Sequence, residues 1–243
     1  MQSGSFRLFR FAGINVYLHF SWFLLAVWQL TSRPHGYSNV IWALYEYLGL
    51  FAIVLLHEFG HALASRQVGG QADTILLWPF GGIAFVRPPA RPGAELWSIA
   101  AGPLVNVVLL PVFFLLKTVA QRSGWPDTMP DVYQLIHMLG VINFWLLAFN
   151  MLPVYPLDGG QIVRSLLWFP LGRILSLKIA VVIGFIGGAL LLLLAYDLKS
   201  ILLAVLVFFL LSQALAGWRH AQALQAHLEE SKRLAEDQRK PMI

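Results

Sequence analysis

Two histidines four residues apart, with a glutamate beside the first, lie inside a long apolar stretch of the chain. They belong to the segment His57-Glu58-Phe59-Gly60-His61, and residues 47–56 before it carry no charge. On a helix, the two imidazoles share one face and can bind one zinc ion, and the glutamate can act as a general base toward a water that the metal activates. The chance expectation for this pattern in a chain of this composition is about 0.005. Since titratable side chains at membrane depth are costly, the pattern predicts a zinc hydrolase site within a lipid bilayer.

The composition of the 243-residue chain is that of a membrane protein. Hydrophobic residues make up 58% of it and charged residues 12%, against roughly 25% charged residues in soluble domains. The net charge of +5 does not indicate nucleic acid binding, because no basic cluster is interleaved with aromatic residues. Cysteine is absent, so a metal must be held by His, Asp or Glu side chains.

Six apolar stretches are about as long as a membrane-spanning helix, which needs about 20 residues. We therefore expect an all-α membrane protein, a polytopic bundle of about six transmembrane helices. If the N-terminus is cytoplasmic, most of the 17 Lys and Arg residues fall on the inner side, as the positive-inside rule requires. This predicts a multi-pass protein of a prokaryotic cytoplasmic membrane with both termini cytoplasmic. The predicted spans are residues 14–32, 41–65, 96–118, 133–152, 178–196 and 199–218.

The histidine pair is expected nearer to the cytoplasm than to the outside. Arg66 marks the inner end of the second predicted span. His57 precedes it by nine residues, which on a helix is about 13 Å. A metal bound there would lie below the inner surface of the membrane.

Residues 72–86 form an apolar segment that is too short and too broken to span the membrane. The turn-forming residues Pro79-Phe80-Gly81-Gly82 divide it into two short strands. We expect a small membrane-re-entrant β-hairpin that dips toward the metal, since non-helical backbone is tolerated where it lines a cavity; an interfacial loop is the alternative. An exposed hairpin edge could add a strand of substrate, which makes Ile83, Ala84 and Phe85 candidate substrate-binding residues.

Asp158 is a candidate for the third protein ligand that a catalytic zinc usually has. It follows a long segment without charged residues, after Pro153 and Pro156 and before Gly159-Gly160. The prolines break a helix, and the glycines allow close approach of the backbone. A broken helix at membrane depth can place a carboxylate in the interior. The residues alone leave two alternatives open, a zinc ligand or the cap of a following helix.

Taken together, these motifs resemble those of the site-2 proteases, membrane-embedded zinc metalloproteases used in regulated intramembrane proteolysis. The resemblance implies that His57, His61 and Asp158 hold one zinc ion per chain and that Glu58 is the catalytic base. The hairpin turn is similar to the membrane-re-entrant β-loop of that family. The matching segments are His57-Glu58-Phe59-Gly60-His61, Pro79-Phe80-Gly81-Gly82, Gly102-Pro103-Leu104-Val105-Asn106, and Asn150 with Pro153, Pro156 and Leu157-Asp158-Gly159-Gly160.

Two asparagines are secondary candidates. The resemblance implies that Asn150 assists the oxyanion or holds substrate, a role suited to an amide donor; it could equally fix the broken helix. Asn106 lies one helical turn after Gly102 on the third predicted span. It could face the site and contact substrate, or it could serve helix packing alone.

The expected function is a zinc-dependent endopeptidase that cuts transmembrane segments of other proteins near the cytoplasmic face. The expected partners are such a substrate and the lipid bilayer. A membrane zinc transporter is one alternative, but His and acidic residues would then recur on several spans. A non-proteolytic membrane scaffold is another, but it would have lost the base Glu58.

The chain is expected to divide into a membrane domain and a tail. Residues 1–218 form the predicted zinc metalloprotease domain, with its core at 41–165. Residues 219–243 are predicted to be a polar helical tail in the cytoplasm. A PDZ or CBS domain is not expected within these 243 residues, and the sequence does not indicate an oligomeric state.

Overall fold

A computed structural model describes residues 4–31, 36–78 and 81–237. The hairpin turn Pro79-Phe80, residues 32–35 and the last six residues of the predicted tail lie outside the described residues. The chain forms two units, residues 1–150 and 151–243. Within its described residues, the first unit contains four strands and five helices: β1 (Ser5–Phe11), β2 (Ile14–His19), α1 (Ser21–Thr31), α2 (Val40–Gln67), β3 (Gln71–Trp78), β4 (Gly81–Arg87), α3 (Pro92–Arg122), α4 (Trp125–Thr128) and α5 (Pro130–Asn150).

The predicted hairpin is present as β3 and β4, within a sheet of order β1-β2-β3-β4. β3 and β4 are antiparallel, with Ile75 opposite Ala84, whereas β2 and β3 are parallel. One face of the sheet packs on α2, where Val16 and Ile75 share a buried cluster with Val54. The helical membrane fold with a small β-hairpin is thus confirmed, and the hairpin belongs to a larger sheet than the sequence predicted.

The first of the six predicted spans is not a single membrane-spanning helix in the structure. Residues 14–32 contain strand β2 followed by α1, an apolar helix of only 11 residues. The physical reason is a period of two: Ile14, Val16 and Leu18 are buried, and the residues between them are less so. Among the described residues, five helical segments are long and apolar enough to cross a membrane: Val40–Gln67, Pro92–Arg122, Pro130–Asn150, Asp158–Asp197 and Ile201–Ser231.

Helix α2 carries the His-Glu motif in one continuous helix. The side chain of Asn39 caps its N-terminus by accepting a hydrogen bond from the amide of Ile41. The helix packs closely on α3 at Gly60, where an added Cβ would lie 2.6 Å from the carbonyl oxygen of Ala101. The absence of a side chain therefore brings the motif-bearing turn directly against the backbone of α3.

The second unit consists of the segment 151–157 followed by two long helices, α6 (Asp158–Asp197) and α7 (Ile201–Asp237). Pro170 and Gly172, which has a φ of 77°, kink α6. The two helices pack around Leu177, Val181 and Ala214. The predicted boundary at residue 218 lies inside α7, which continues as one helix into the predicted tail.

Candidate metal centre

His57, Glu58 and His61 lie together and are buried. Their candidate ligand atoms are all within 4.8 Å of one another, and the three residues are only 4%, 5% and 8% exposed. The Nε2 atoms of the two histidines are 3.1 Å apart. Two nitrogens bound tetrahedrally to one zinc ion at about 2.0–2.1 Å would be about 3.3 Å apart. The pair therefore fits a shared zinc ion without rearrangement of the helix.

The other ring nitrogen of each histidine is occupied by the protein. Nδ1 of His61 lies 2.9 Å from the main-chain oxygen of Ser98. A carbonyl oxygen can only accept, so this Nδ1 carries the proton and the Nε2 lone pair is available for a metal. Nδ1 of His57 lies 2.6 Å from Oδ1 of Asn106, so its Nε2 is likewise the nitrogen that faces the other ring.

Glu58 reaches the edge of the sheet. Its Oε2 accepts a hydrogen bond from the main-chain amide of Ala84 at 2.9 Å. Ala84 lies on β4, an edge strand of the sheet, between Ile83 and Phe85. The structure thus brings the predicted base and the middle residue of the predicted substrate-binding strand into direct contact.

Asn106, Asn150 and Asp158 have different surroundings. Asn106 is fully buried, and its side chain also contacts Asn143 of α5. Asn150 is the last residue of α5 and is half-buried. Asp158 is the first residue of α6, and the capping position before it is taken by Leu157. The roles of these three residues in the reaction stay predictions.

Comparison with known proteins identifies the family. Residues 45–130 and 119–194 match the sequence profile of peptidase family M50, and these ranges cover more than half of the chain. The chain belongs to this family. The predictions of a site-2 protease relative, a membrane metallopeptidase and a zinc site are therefore confirmed at the level of the family.

Individual relatives agree with this assignment. The M50 peptidase is 34% identical to zinc metalloprotease MJ0392 of Methanocaldococcus jannaschii over 86% of its own length and 55% of the relative. It is 29% identical to stage IV sporulation protein FB of Bacillus subtilis over 62% of its length and 46% of the relative. The M50 peptidase thus spans about half the length of these curated relatives.

A solved structure has a similar fold. The site-2 protease from Methanocaldococcus jannaschii aligns with a TM-score of 0.63 and 28% identity. The alignment covers 88% of the M50 peptidase and 95% of the solved chain. The likeness therefore extends over both the sheet-containing unit and the helices that follow it in sequence.

Glu46, the other carboxylate of α2 in the M50 peptidase, connects neighbouring segments of the fold by hydrogen bonds. It is 1% exposed and accepts hydrogen bonds from Nε2 of Gln29 at 3.1 Å and from the hydroxyl of Tyr37 at 2.7 Å. Burial and the neighbouring Glu46 carboxylate raise the pKa of Tyr37 well above its usual value. Glu46 thus links α1 and the segment after it to α2.

Sequence reasoning missed Ser98, which contacts His61 directly, and Asn143, which contacts Asn106, the partner of His57. Ser98 acts through its main-chain oxygen, for which no residue type gives a signal. Asn143 did offer a signal, because a polar side chain within a predicted span is costly unless it has a partner. It is fully buried in the structure.

Proposed function

We propose that this M50 peptidase is a zinc-dependent endopeptidase that cuts membrane segments of other proteins near the cytoplasmic face of the membrane. The observation that carries the proposal is a buried His-Glu-His cluster in the middle of a helix long and apolar enough to span a membrane. Titratable side chains at this depth of a membrane are costly and indicate a functional site, which would lie at the level of the membrane segments of substrates.

The proposed ligands of the single zinc ion are His57, His61 and Asp158. Two imidazoles and one carboxylate leave one position open, as in other catalytic zinc sites. Zinc bound there would supply Lewis acidity, which lowers the pKa of a water and polarises the carbonyl group of a substrate. The donor set fits, because both Nε2 atoms face one point and both Nδ1 atoms are held by the protein.

Glu58 is the proposed proton carrier. Its carboxylate takes a proton from the attacking water and returns it to the nitrogen that leaves the cleaved peptide bond. The amide of Ala84 holds Oε2, so the carboxylate keeps one orientation while its other oxygen accepts the proton. Asn150 is the proposed donor to the oxyanion.

The edge of β4 is the proposed binding site for an unwound substrate strand, at Ile83, Ala84 and Phe85. In an antiparallel pair, successive residues direct their amides alternately toward and away from the partner strand. Since the amide of Ala84 donates to Glu58, it points away from β3, and the amides of its two neighbours point toward β3. A substrate strand at this edge would therefore lie beside the base.

Ala84→Pro is expected to reduce cleavage by about 100-fold, with zinc content unchanged. Proline removes the amide that donates to Glu58, and an edge position tolerates proline because no ladder hydrogen bond is lost there. Ala84→Ser retains the amide and is the matched control, with near wild-type cleavage. The measurement is the cleavage rate of a reconstituted membrane substrate together with the metal content of the same sample. Wild-type cleavage by Ala84→Pro would refute a role for this edge.

Asp158→Ala is expected to lower both zinc content and cleavage, because only two imidazoles would remain as ligands. Asp197→Ala, at the other end of α6, is the control and should retain one zinc ion per chain. Metal analysis of the purified variants measures the effect. If Asp158→Ala kept one tightly bound zinc ion, another residue would have to be the third ligand.

The proposed location is a prokaryotic cytoplasmic membrane, with both termini in the cytoplasm. The lengths of β2 and α1, six strand residues and 11 helical residues, add up to about 36 Å, which is comparable with a core of about 30 Å. Reporters inserted in residues 88–91 should be cytoplasmic and those in residues 123–129 external. The opposite result would invert the proposed depth of the site.

The proposed activity is tested by co-expression with a library of single-span membrane proteins. Substrates should be cut only when the full chain is present, and a zinc chelator should stop cleavage in purified membranes. Mapping the cut bonds should place them in the half of the span nearest the cytoplasm. Zinc uptake into reconstituted vesicles without any cleavage would instead indicate a transporter.

A further inference from the structure

A pair of buried amides connects the metal centre to a helix that contributes none of the proposed zinc ligands. Asn106 of α3 and Asn143 of α5 are both fully buried. Their side chains form a chain of hydrogen bonds that ends at His57. We propose that Asn143 is a positioning residue that fixes His57 in the tautomer able to bind metal, acting through the amide of Asn106.

The direction of this hydrogen-bond chain is set at its far end. The side chain of Asn143 lies 3.0 Å from the main-chain oxygen of Asn106. A main-chain oxygen can only accept, so Asn143 must present its nitrogen there. The amide oxygen of Asn143 then necessarily points at the side chain of Asn106.

The same argument identifies the atom of Asn106 that faces His57. Oδ1 of Asn143 lies 2.8 Å from the side-chain nitrogen of Asn106, and an oxygen acceptor requires that nitrogen. Oδ1 of Asn106 is therefore the atom 2.6 Å from Nδ1 of His57. An acceptor at this distance requires that Nδ1 carry the proton. The lone pair of the neutral ring is thereby placed on Nε2, the nitrogen that faces His61.

Burial makes the arrangement obligatory. With both asparagines fully buried, water cannot replace a missing partner. Reversing the amide of Asn143 would set its nitrogen against the nitrogen of Asn106, and reversing the amide of Asn106 would set its oxygen against the oxygen of Asn143. His61 obtains the same tautomer directly from a main-chain oxygen. Nδ1 of His57 instead contacts the side chain of Asn106, so the tautomer of His57 depends on what orients the amide of Asn106.

This inference rests on the proposed role of His57 as a zinc ligand, and it makes a separate prediction. In Asn143→Leu, leucine has a volume similar to that of asparagine but makes neither hydrogen bond to Asn106. The side-chain amide of Asn106 then becomes free to rotate. We expect zinc affinity to fall about 10- to 100-fold, as for other losses of a group that orients a metal ligand. Leu139→Ala is the matched control on α5: its side chain packs on Gly49, and its loss removes packing without touching the hydrogen-bond chain.

The experiment uses the full chain in detergent micelles with ¹⁵N-labelled histidine. In the metal-free wild type, the ¹⁵N shifts of His57 should report a protonated Nδ1, and in Asn143→Leu a protonated Nε2 should appear. Zinc affinity is measured by chelator competition for the wild type, Asn143→Leu, Leu139→Ala and His57→Asn. Asn106→Asp combined with Asn143→Leu should restore affinity, because a carboxylate can only accept from Nδ1.

The outcomes separate this inference from the proposed function. Zinc binding that depends on His57 but is equal in Asn143→Leu and Leu139→Ala would overturn the positioning role alone. A wild-type His57 protonated at Nε2 would do the same, even if Asn143→Leu failed to fold. Zinc binding that does not depend on His57 would overturn the proposed ligand set and this inference with it.

Discussion

Glu58→Gln is expected to abolish cleavage of membrane substrates while zinc stays bound. The amide has the size of the carboxylate and still accepts the hydrogen bond from Ala84, but it cannot take a proton from the attacking water. Loss of acid–base catalysis costs about 10²–10⁴-fold in rate, so less than about 1% of the wild-type rate should remain. The measurement is the rate of cleavage of a reconstituted substrate, with metal analysis of the same preparation.

The chain offers a matched control for this substitution. Glu46→Gln makes the same change to another buried carboxylate of α2, which contacts Gln29 and Tyr37. Cleavage should persist in that variant, because glutamine can keep both contacts. Cleavage by Glu58→Gln well above about 1% of wild type would show that another group moves the proton.

Gly102→Ala is expected to disrupt the metal centre by pushing one histidine out of place. An added Cβ at residue 102 would lie 2.2 Å from Nε2 and 2.4 Å from Cε1 of His61. The ring has little freedom to move away, since Nδ1 is held by the main chain of Ser98. A displacement of about 1 Å in a catalytic group can cost about 100-fold in rate. We expect a loss of cleavage of this order and a clear fall in zinc affinity.

Gly140→Ala serves as the control for the same change in another membrane helix. Its Cβ would lie 3.3 Å from Cβ of Phe113, so a shift of a few tenths of an ångström accommodates it. Chelator competition on both purified variants, with size-exclusion profiles to establish folding, measures the effect. Wild-type zinc affinity in folded Gly102→Ala would mean that His61 is not held where the structure places it.

The long helices of the first unit could be predicted because length and apolarity are local properties. Predicted spans 41–65 and 96–118 correspond to Val40–Gln67 and Pro92–Arg122. The segment 14–32 was assigned wrongly as one helix because apolar content concealed an alternating pattern at Ile14, Val16 and Leu18. That pattern produces a strand only because β1 and β3 pair with it, and strand pairing is not a local property.

The metal centre was predictable to the extent that residue types alone determine it. A His-Glu-His spacing on a helix brings its own members together, as found for residues 57–61. The partners that orient them come from α3, α5 and β4. Which of their atoms meet depends on how the helices and the sheet pack, so the contacts of Asn143 and Ala84 could not be read from spacing.

The parallel pairing of β2 with β3 also constrains the order in which the protein can be completed during synthesis. Asn15 pairs with Thr74, and at about 5–20 residues per second the ribosome needs roughly 3–12 s to make the chain between them. A helix forms its backbone hydrogen bonds within its own segment, whereas a strand needs a second strand as a partner. One edge of β2 therefore has no partner until β3 has been made, and α2, which carries the His-Glu motif, is complete before the sheet that packs on it.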